Sequence, residues 1–251
     1  MSKKLTFEWE TQTKARYKGP NTKAAKICQP GYGRHEEANR IAVEGYLRGE
    51  KKLSALLVGV GADQYDPFGG ALCASSPFEL GELLERQGKD YSMTILDINE
   101  KALKEAETRN RIFTCPDDRG KGIPISKTFK RKRKAGEIKF VKGDVVTADL
   151  GPYGPFDLVQ CLNVLYYIPR EGNTAEENNN STILAVWNMA RNVSKGGVML
   201  LNDPLFCDKE GNLTGTVQYL VNGPLRDEMH ITLEKVLPYN PRKAYLFFKK
   251  T

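Results

Sequence analysis

The chain predicts a doubly wound α/β fold, with a mainly parallel seven-stranded sheet and an antiparallel C-terminal strand. Three observations predict it. Short apolar runs alternate with amphipathic helical stretches, as they must when a parallel sheet is covered on both faces. The first run, residues 53–60, is apolar at every position but one, which suits a central strand with no solvent face. The last two runs are joined by the turn PYNP, so they pair antiparallel.

The elements follow in order. Residues 1–32 are polar and basic, with Lys3, Lys4, Lys14, Arg16, Lys18, Lys23 and Lys26 against Glu8 and Glu10, and read as an arm, a lid or a free terminus. A helix is expected over 35–48, where Ala38, Ile41, Ala42 and Tyr46 share one face although Gly45 interrupts it. Strand 53–60 ends in a glycine turn, and 70–87 is mostly helical with Pro77 starting a new turn. Strand 92–97 leads to Asn99, which caps a helix over 100–111. Residues 112–137 hold Pro116, Gly120, Gly122, Pro124 and the run KTFKRKRK, and read as an inserted loop or hairpin. Regular alternation then resumes with strands 138–141, 157–162 and 197–201, a helix over 175–193, and the final pair 229–237 and 243–248. The organisation expected is a basic arm and helix over 1–50, then a ligand-binding domain over 51–251 with a basic insertion at about 112–137.

Composition is that of an ordinary globular chain, 40% hydrophobic and 27% charged. No apolar run reaches the ~18 residues of a membrane span, and the start MSKKLTFEWE has no apolar signal region, so a cytoplasmic protein is expected. Cys28, Cys73, Cys115, Cys161 and Cys207 form no CxxC pair, which signals neither a zinc site nor a disulfide framework. The net charge of +7 suits an acidic partner without identifying one.

Sheets of this kind bind ligands past the carboxyl ends of their strands. There the sequence LLVGVGADQYDPFGG places Gly59, Gly61 and Ala62, a turn whose backbone can approach a ligand closely or can be merely structural. Asp97 closes the second strand, where an acid accepts both hydroxyls of a ribose, with Ile98 beside it; the competing role is a helix cap. Asp144 follows the third strand, placed to accept from an adenine amine while Val145 packs on the ring; the competing role is a turn residue. After the fourth strand come Asn163, Val164, Tyr166 and Tyr167, whose rings attract a cationic group or else cover the sheet edge. Four strand ends in sequence each carry a group suited to a nucleoside ligand.

On these motifs the chain resembles the class I S-adenosylmethionine-dependent methyltransferases, whose Rossmann-like fold it would share. Within them it looks most similar to the chemotaxis-receptor glutamate methyltransferases over residues 53–170. Their fourth-strand motif FDxxxCRNVLxYF is matched by Phe156-Asp157-Leu158-Val159-Gln160-Cys161-Leu162-Asn163-Val164-Leu165-Tyr166-Tyr167-Ile168, with Leu162 where the family has arginine. Asp66-Pro67-Phe68 resembles the E-P-Y step of their first motif, one residue farther from Gly59, and Leu96-Asp97-Ile98 resembles the second-strand TDI. Their separate N-terminal helical domain has no clear counterpart. The resemblance implies S-adenosyl-L-methionine as cofactor, contacted by Asp97, Asn163 and Val164, and Tyr167 bordering the methyl acceptor.

His35 and His230 are the only histidines and neither is well placed as a base, which favours an acceptor that is already nucleophilic, such as a protein carboxylate or a small molecule. The rival acceptor is a nucleic acid held by Lys130, Arg131, Lys132, Arg133 and Lys134. A DPPY-like motif is absent; Asn202-Asp203-Pro204-Leu205 follows the fifth strand instead. A nicotinamide oxidoreductase is disfavoured because Gln64 stands at the third glycine position and Asp97 lies more than ~20 residues beyond Gly61. An inactive cofactor binder completes the alternatives.

Overall fold

The computed structural model describes residues 36–60, 76–112, 123–162, 164, 165, 168, 174–202, 206, 212–240 and 243–251. The strands are β1 (Lys52–Val58), β2 (Asp90–Asp97), β3 (Arg111–Ile112), β4 (Ile123–Pro124), β5 (Ile138–Lys142), β6 (Phe156–Leu162), β7 (Val193–Asn202), β8 (Ile231–Asn240) and β9 (Lys243–Lys250). Seven of them form one sheet in the order β5-β2-β1-β6-β7-β9-β8. The first five in that order pair in parallel, and β9 runs antiparallel to both β7 and β8. The expected mixed α/β sheet is therefore present. The small strands β3 and β4 pair apart from it.

Burial on both sides explains why the central strands read as unbroken apolar runs. Leu53, Ala55 and Leu57 of β1 point to one face and Leu56 and Val58 to the other, and all are buried. The first face is covered by α1 (Glu36–Arg40), α2 (Ser76–Arg86), α3 (Glu100–Thr108) and α4 (Lys127–Lys134), through Ala38, Leu84, Ala106 and Phe129 among others. The second is covered by α5 (Ala175–Arg191), α6 (Gly215–Asn222) and α7 (Pro224–Asp227), through Ala185, Met189, Leu220 and Leu225. Helix α5 starts on a capping box, Thr174 with Glu177. Its Leu184 is 48% exposed, because the buried stripe falls on Ala185, Val186, Met189 and Ala190.

Helix α1 continues as a π-helix over Ile41–Tyr46, where the Leu47 N–H reaches back to the Ala42 carbonyl. The extra residue per turn keeps Ala42, Val43 and Leu47 all buried against the sheet. A side-chain hydrogen bond from Gln160 of β6 to Asn39 ties α1 to the sheet beneath it.

The insertion meets expectation in part, since β3 and β4 pair antiparallel as in a hairpin. Its basic run is not a loop but helix α4, capped by Ser126, whose Oγ accepts from the Phe129 N–H at 2.9 Å. Phe129 is buried and its ring lies 5.0 Å from that of Phe78. One aromatic among polar and basic residues supplies the apolar contact, which the charges of the run conceal. Among the described residues no helix is long and apolar enough to cross a membrane, and Cys161 is buried.

Phe129→Ala tests how firmly this helix is docked. A buried Phe→Ala change costs about 3–5 kcal/mol, whereas in a solvated loop it stays within about 0.5 kcal/mol. Urea denaturation should show the larger loss; the smaller would mean that α4 is not part of the core.

Candidate functional site

The sheet order reverses between β1 and β6, the switch point at which such sheets bind ligands. Val58 lies level with Leu96 of β2 and with Cys161 of β6. Asp97 lies level with Lys142 of β5. The ends of these strands therefore lie side by side.

Gly59 leaves β1 with φ +87 and donates its N–H to the Leu96 carbonyl at 2.8 Å. A Cβ at this position would overlap the side chain of Val164. Glycine is thus required twice, by the backbone and by the segment after β6 that packs onto the turn.

Asp97 is the centre of the edge. Its carboxylate is buried, with Oδ2 accepting from the Val60 N–H and Oδ1 from the Asn99 N–H, each at 2.8 Å. Burial pushes its pKa up to about 6, against the opposing pull of the Asn99, Val60 and Ile98 N–H groups. Those three donors do not exhaust the carboxylate, which has about four lone-pair sites, so it can accept from a further donor. The cap of α3 belongs to Asn99, whose Oδ1 accepts from the Ala102 N–H at 3.2 Å. Asp97 is therefore not needed as the cap. Ile98 is half-buried beside it.

Asp144 forms the turn after β5: its Oδ1 accepts from the Val146 N–H at 2.9 Å, and its carbonyl from Thr147 and Ala148. The competing role of a turn residue is thus real for this carboxylate, and one of its oxygens is engaged in it. Val145 is buried and belongs to the second core. Its carbonyl accepts from Asn188 Nδ2 at 2.9 Å, and the same amide reaches the Ala148 carbonyl at 2.8 Å. Asn188 thereby fixes the loop. Sequence reasoning missed that role, for which the one signal was an amide next to the buried stripe of α5.

Val164 is half-buried and Leu165 fully buried after β6. Gly61, Ala62, Asn163, Tyr166 and Tyr167 lie outside the described residues, as does His35. His230 precedes β8, where the next residue Ile231 pairs with Lys250, at the amino end of β7 and opposite to the candidate site. Among the described residues no group of His, Cys, Asp and Glu could hold a metal ion.

The five cations expected to face a nucleic acid divide. Lys132 is buried, bound to Asp90 at 2.5 Å and Glu137 at 2.8 Å with its ammonium 4.9 Å from the Tyr91 ring centroid. Arg133 donates to the Arg109 carbonyl at 2.7 Å and to Asn110 Oδ1 at 3.3 Å. These two are engaged inside the protein and are withdrawn from that role, while Lys130, Arg131 and Lys134 remain outside.

No protein-family profile matches the chain, and no curated protein does. Solved structures do. The N-methyltransferase NodS from Bradyrhizobium japonicum WM9, in complex with S-adenosyl-L-homocysteine, superposes with a TM-score of 0.55 at 13% identity over 97% of this chain and 98% of that one. Magnesium protoporphyrin IX methyltransferase (ChlM) from Synechocystis PCC 6803, with bound S-adenosylmethionine, gives a TM-score of 0.51 at 14% identity over 98% and 93%. The architecture shared with them is the Rossmann-like fold of class I methyltransferases.

Gly59→Ala should destabilise the protein by at least about 1–2 kcal/mol from the left-handed backbone alone. Overpacking against Val164 adds about 1–3 kcal/mol. Adding Val164→Ala should recover the steric part and not the backbone part, as read from denaturation midpoints. A Gly59→Ala protein as stable as the parent would show that neither constraint is real.

Proposed function

We propose that this chain is an S-adenosylmethionine-dependent methyltransferase that holds its cofactor at the carboxyl edge of β1, β2, β5 and β6. The observation that carries the reading is Asp97, a buried carboxylate at the end of β2 with acceptor capacity left over from its backbone donors. A group with paired hydroxyls fits that acceptor. The cofactors named for NodS and ChlM, which have this fold, support the same choice.

When bound, the cofactor supplies a methyl group already activated as a sulfonium, so orientation is the main task of the protein. Asp97 would hold the ribose hydroxyls. Gly59 keeps the first turn free of a side chain, with Gly61 and Ala62 next in line. Ile98, Asp144 and Val145 would border the adenine. Val164 fixes its own part of the segment after β6 against Gly59, and Asn163 and Tyr167, close to it in sequence, would approach the methyl group. These last two are the residues proposed to contact the reacting centre.

For the acceptor we favour a protein carboxylate or a small molecule, because the β6 motif resembles that of the chemotaxis-receptor enzymes. An ionised carboxylate needs no general base, and His230 stands at the far end of the sheet. The second reading, a nucleic acid, is favoured by the cations on the outer face of α4.

Binding should raise the melting temperature with S-adenosylmethionine or its demethylated product, and not with NAD. At a hundredfold excess over Kd the gain is about 2.7 kcal/mol, or roughly 5–10 °C for a chain of this size. Affinity should also depend on pH. Ribose hydroxyls donate to ionised Asp97, so binding lowers its pKa from about 6 and releases a proton. Affinity should rise roughly tenfold from pH 5 to pH 7 and then level off. Flat affinity over that window would remove Asp97 from the cofactor site, and a melting shift with NAD alone would sink the methyltransferase reading. A base-labile methyl ester on protein would support the favoured acceptor, and base-stable label in RNA would overturn it.

A further inference from the structure

From the way α4 divides its cations we infer that its outer face, formed by Lys127, Lys130, Arg131 and Lys134, docks the phosphodiester backbone of a nucleic acid, which deepens the second acceptor reading. The four residues fall at three- and four-residue steps and so share one side of the helix. At 1.5 Å per residue the stripe is about 10 Å long. Lys127, Arg131 and Lys134 are exposed and Lys130 is half-exposed. None of the four makes an ion pair among the described residues. Like charges at this spacing repel one another, and no carboxylate among the described residues pairs with them to offset that repulsion.

The face is rigid. Ser126 caps the helix and bonds Glu85 at 2.8 Å, Phe129 is buried, and Lys132 is clasped by Asp90 and Glu137. A rigid array of cations binds a regular array of phosphates without losing side-chain order elsewhere. Its chemistry also indicates what is read. The one aromatic of the helix, Phe129, faces the core, so α4 offers no ring for base stacking and contacts backbone alone. The N-terminal segment of the chain is not the occupant, because Lys3, Lys4, Lys14, Arg16, Lys18, Lys23 and Lys26 give it the same sign. A second copy is disfavoured in the same way by the net charge of +7. A phosphodiester backbone, with its dense and regular negative charge, complements the stripe.

The test is fluorescence anisotropy of the full chain with a labelled single-stranded RNA and a labelled duplex DNA over a salt titration. Log affinity should fall with log salt by about 0.7 per contacted phosphate for the single strand and 0.9 for the duplex. The combined change Lys127→Gln, Lys130→Gln, Arg131→Gln and Lys134→Gln should reduce the slope by roughly three. The pair Lys130→Gln with Arg131→Gln should remove about half of that. A charge-matched control, Arg48→Gln, Arg191→Gln, Lys195→Gln and Lys235→Gln, should keep the parental slope. Equal loss in the control would assign binding to net charge and overturn the inference, as would an unchanged slope in the α4 variants. Displacement by an acidic polyglutamate peptide at lower concentration than by unlabelled RNA would overturn it too, by assigning the face to an acidic protein. The assay needs no cofactor. Failure of the melting shift with S-adenosylmethionine would therefore sink the proposed activity and leave this face standing.

Discussion

The carboxyl edge depends on one buried acid. Asp97 closes β2, and its two oxygens hold the backbone on either side of it: Val60 in the turn after β1 and Asn99 at the start of α3. A neutral side chain of the same shape has no second acceptor, so it would release one of these loops. Because Val60 is pinned, Gly59 must make its left-handed exit at that point, and Val164 packs into the space that glycine leaves. Three loops from three strands thus take their positions from a single carboxylate.

The insertion is fixed by a different principle, the division of like charges between inside and outside. Lys132 is tolerated in the core because two carboxylates and the face of Tyr91 surround its ammonium. Asp90, held below the usual carboxylate range mainly by the Lys132 hydrogen bond, records that interaction from the other side. Burying a cation adds little net stability, but removing its partners would be costly. The pair network therefore specifies which side of α4 turns inward, and by exclusion which cations face solvent.

Much of the sheet was legible in the sequence because buried parallel strands leave an unambiguous trace. Leu53 to Val60 and Met93 to Leu96 have no polar face to hide. Asn99 as a cap was legible for the same kind of reason, since a side chain that completes a helix end works locally. What failed to show was decided by distant partners. Lys132 is indistinguishable from Lys130 in sequence, and its partners separate them, Asp90 42 residues earlier and Glu137 beyond the helix. Asn188 and Asn39 look like surface amides until Val145 and Gln160 come opposite. Helices α6 and α7 carry too little periodicity to announce themselves and are held by the second core. At the candidate site the types of residue were legible, because strand ends are marked by glycine and aspartate. Their hydrogen bonds were not, and those decide that Asp144 shapes a turn while Asp97 keeps acceptor capacity.

That capacity has an energetic consequence for the fold. The folded-state pKa of Asp97 is raised to about 6, above the ordinary carboxylate value. The native state therefore holds this proton more tightly than the unfolded chain does. The associated stability is full below about pH 4 and is lost as pH rises through about 6, at about 1.4 kcal/mol for each pH unit between the two values. At neutral pH the protein carries an ionised acid in a place that favours the neutral one. Three backbone donors offset part of that cost, and the core built by β1, β2 and α3 bears the rest. No neutral side chain of this shape offers both acceptors, so the two loops need the carboxylate in spite of that cost. On the proposed function, a ligand whose hydroxyls donate to this carboxylate would offset part of the remaining cost and gain affinity in return.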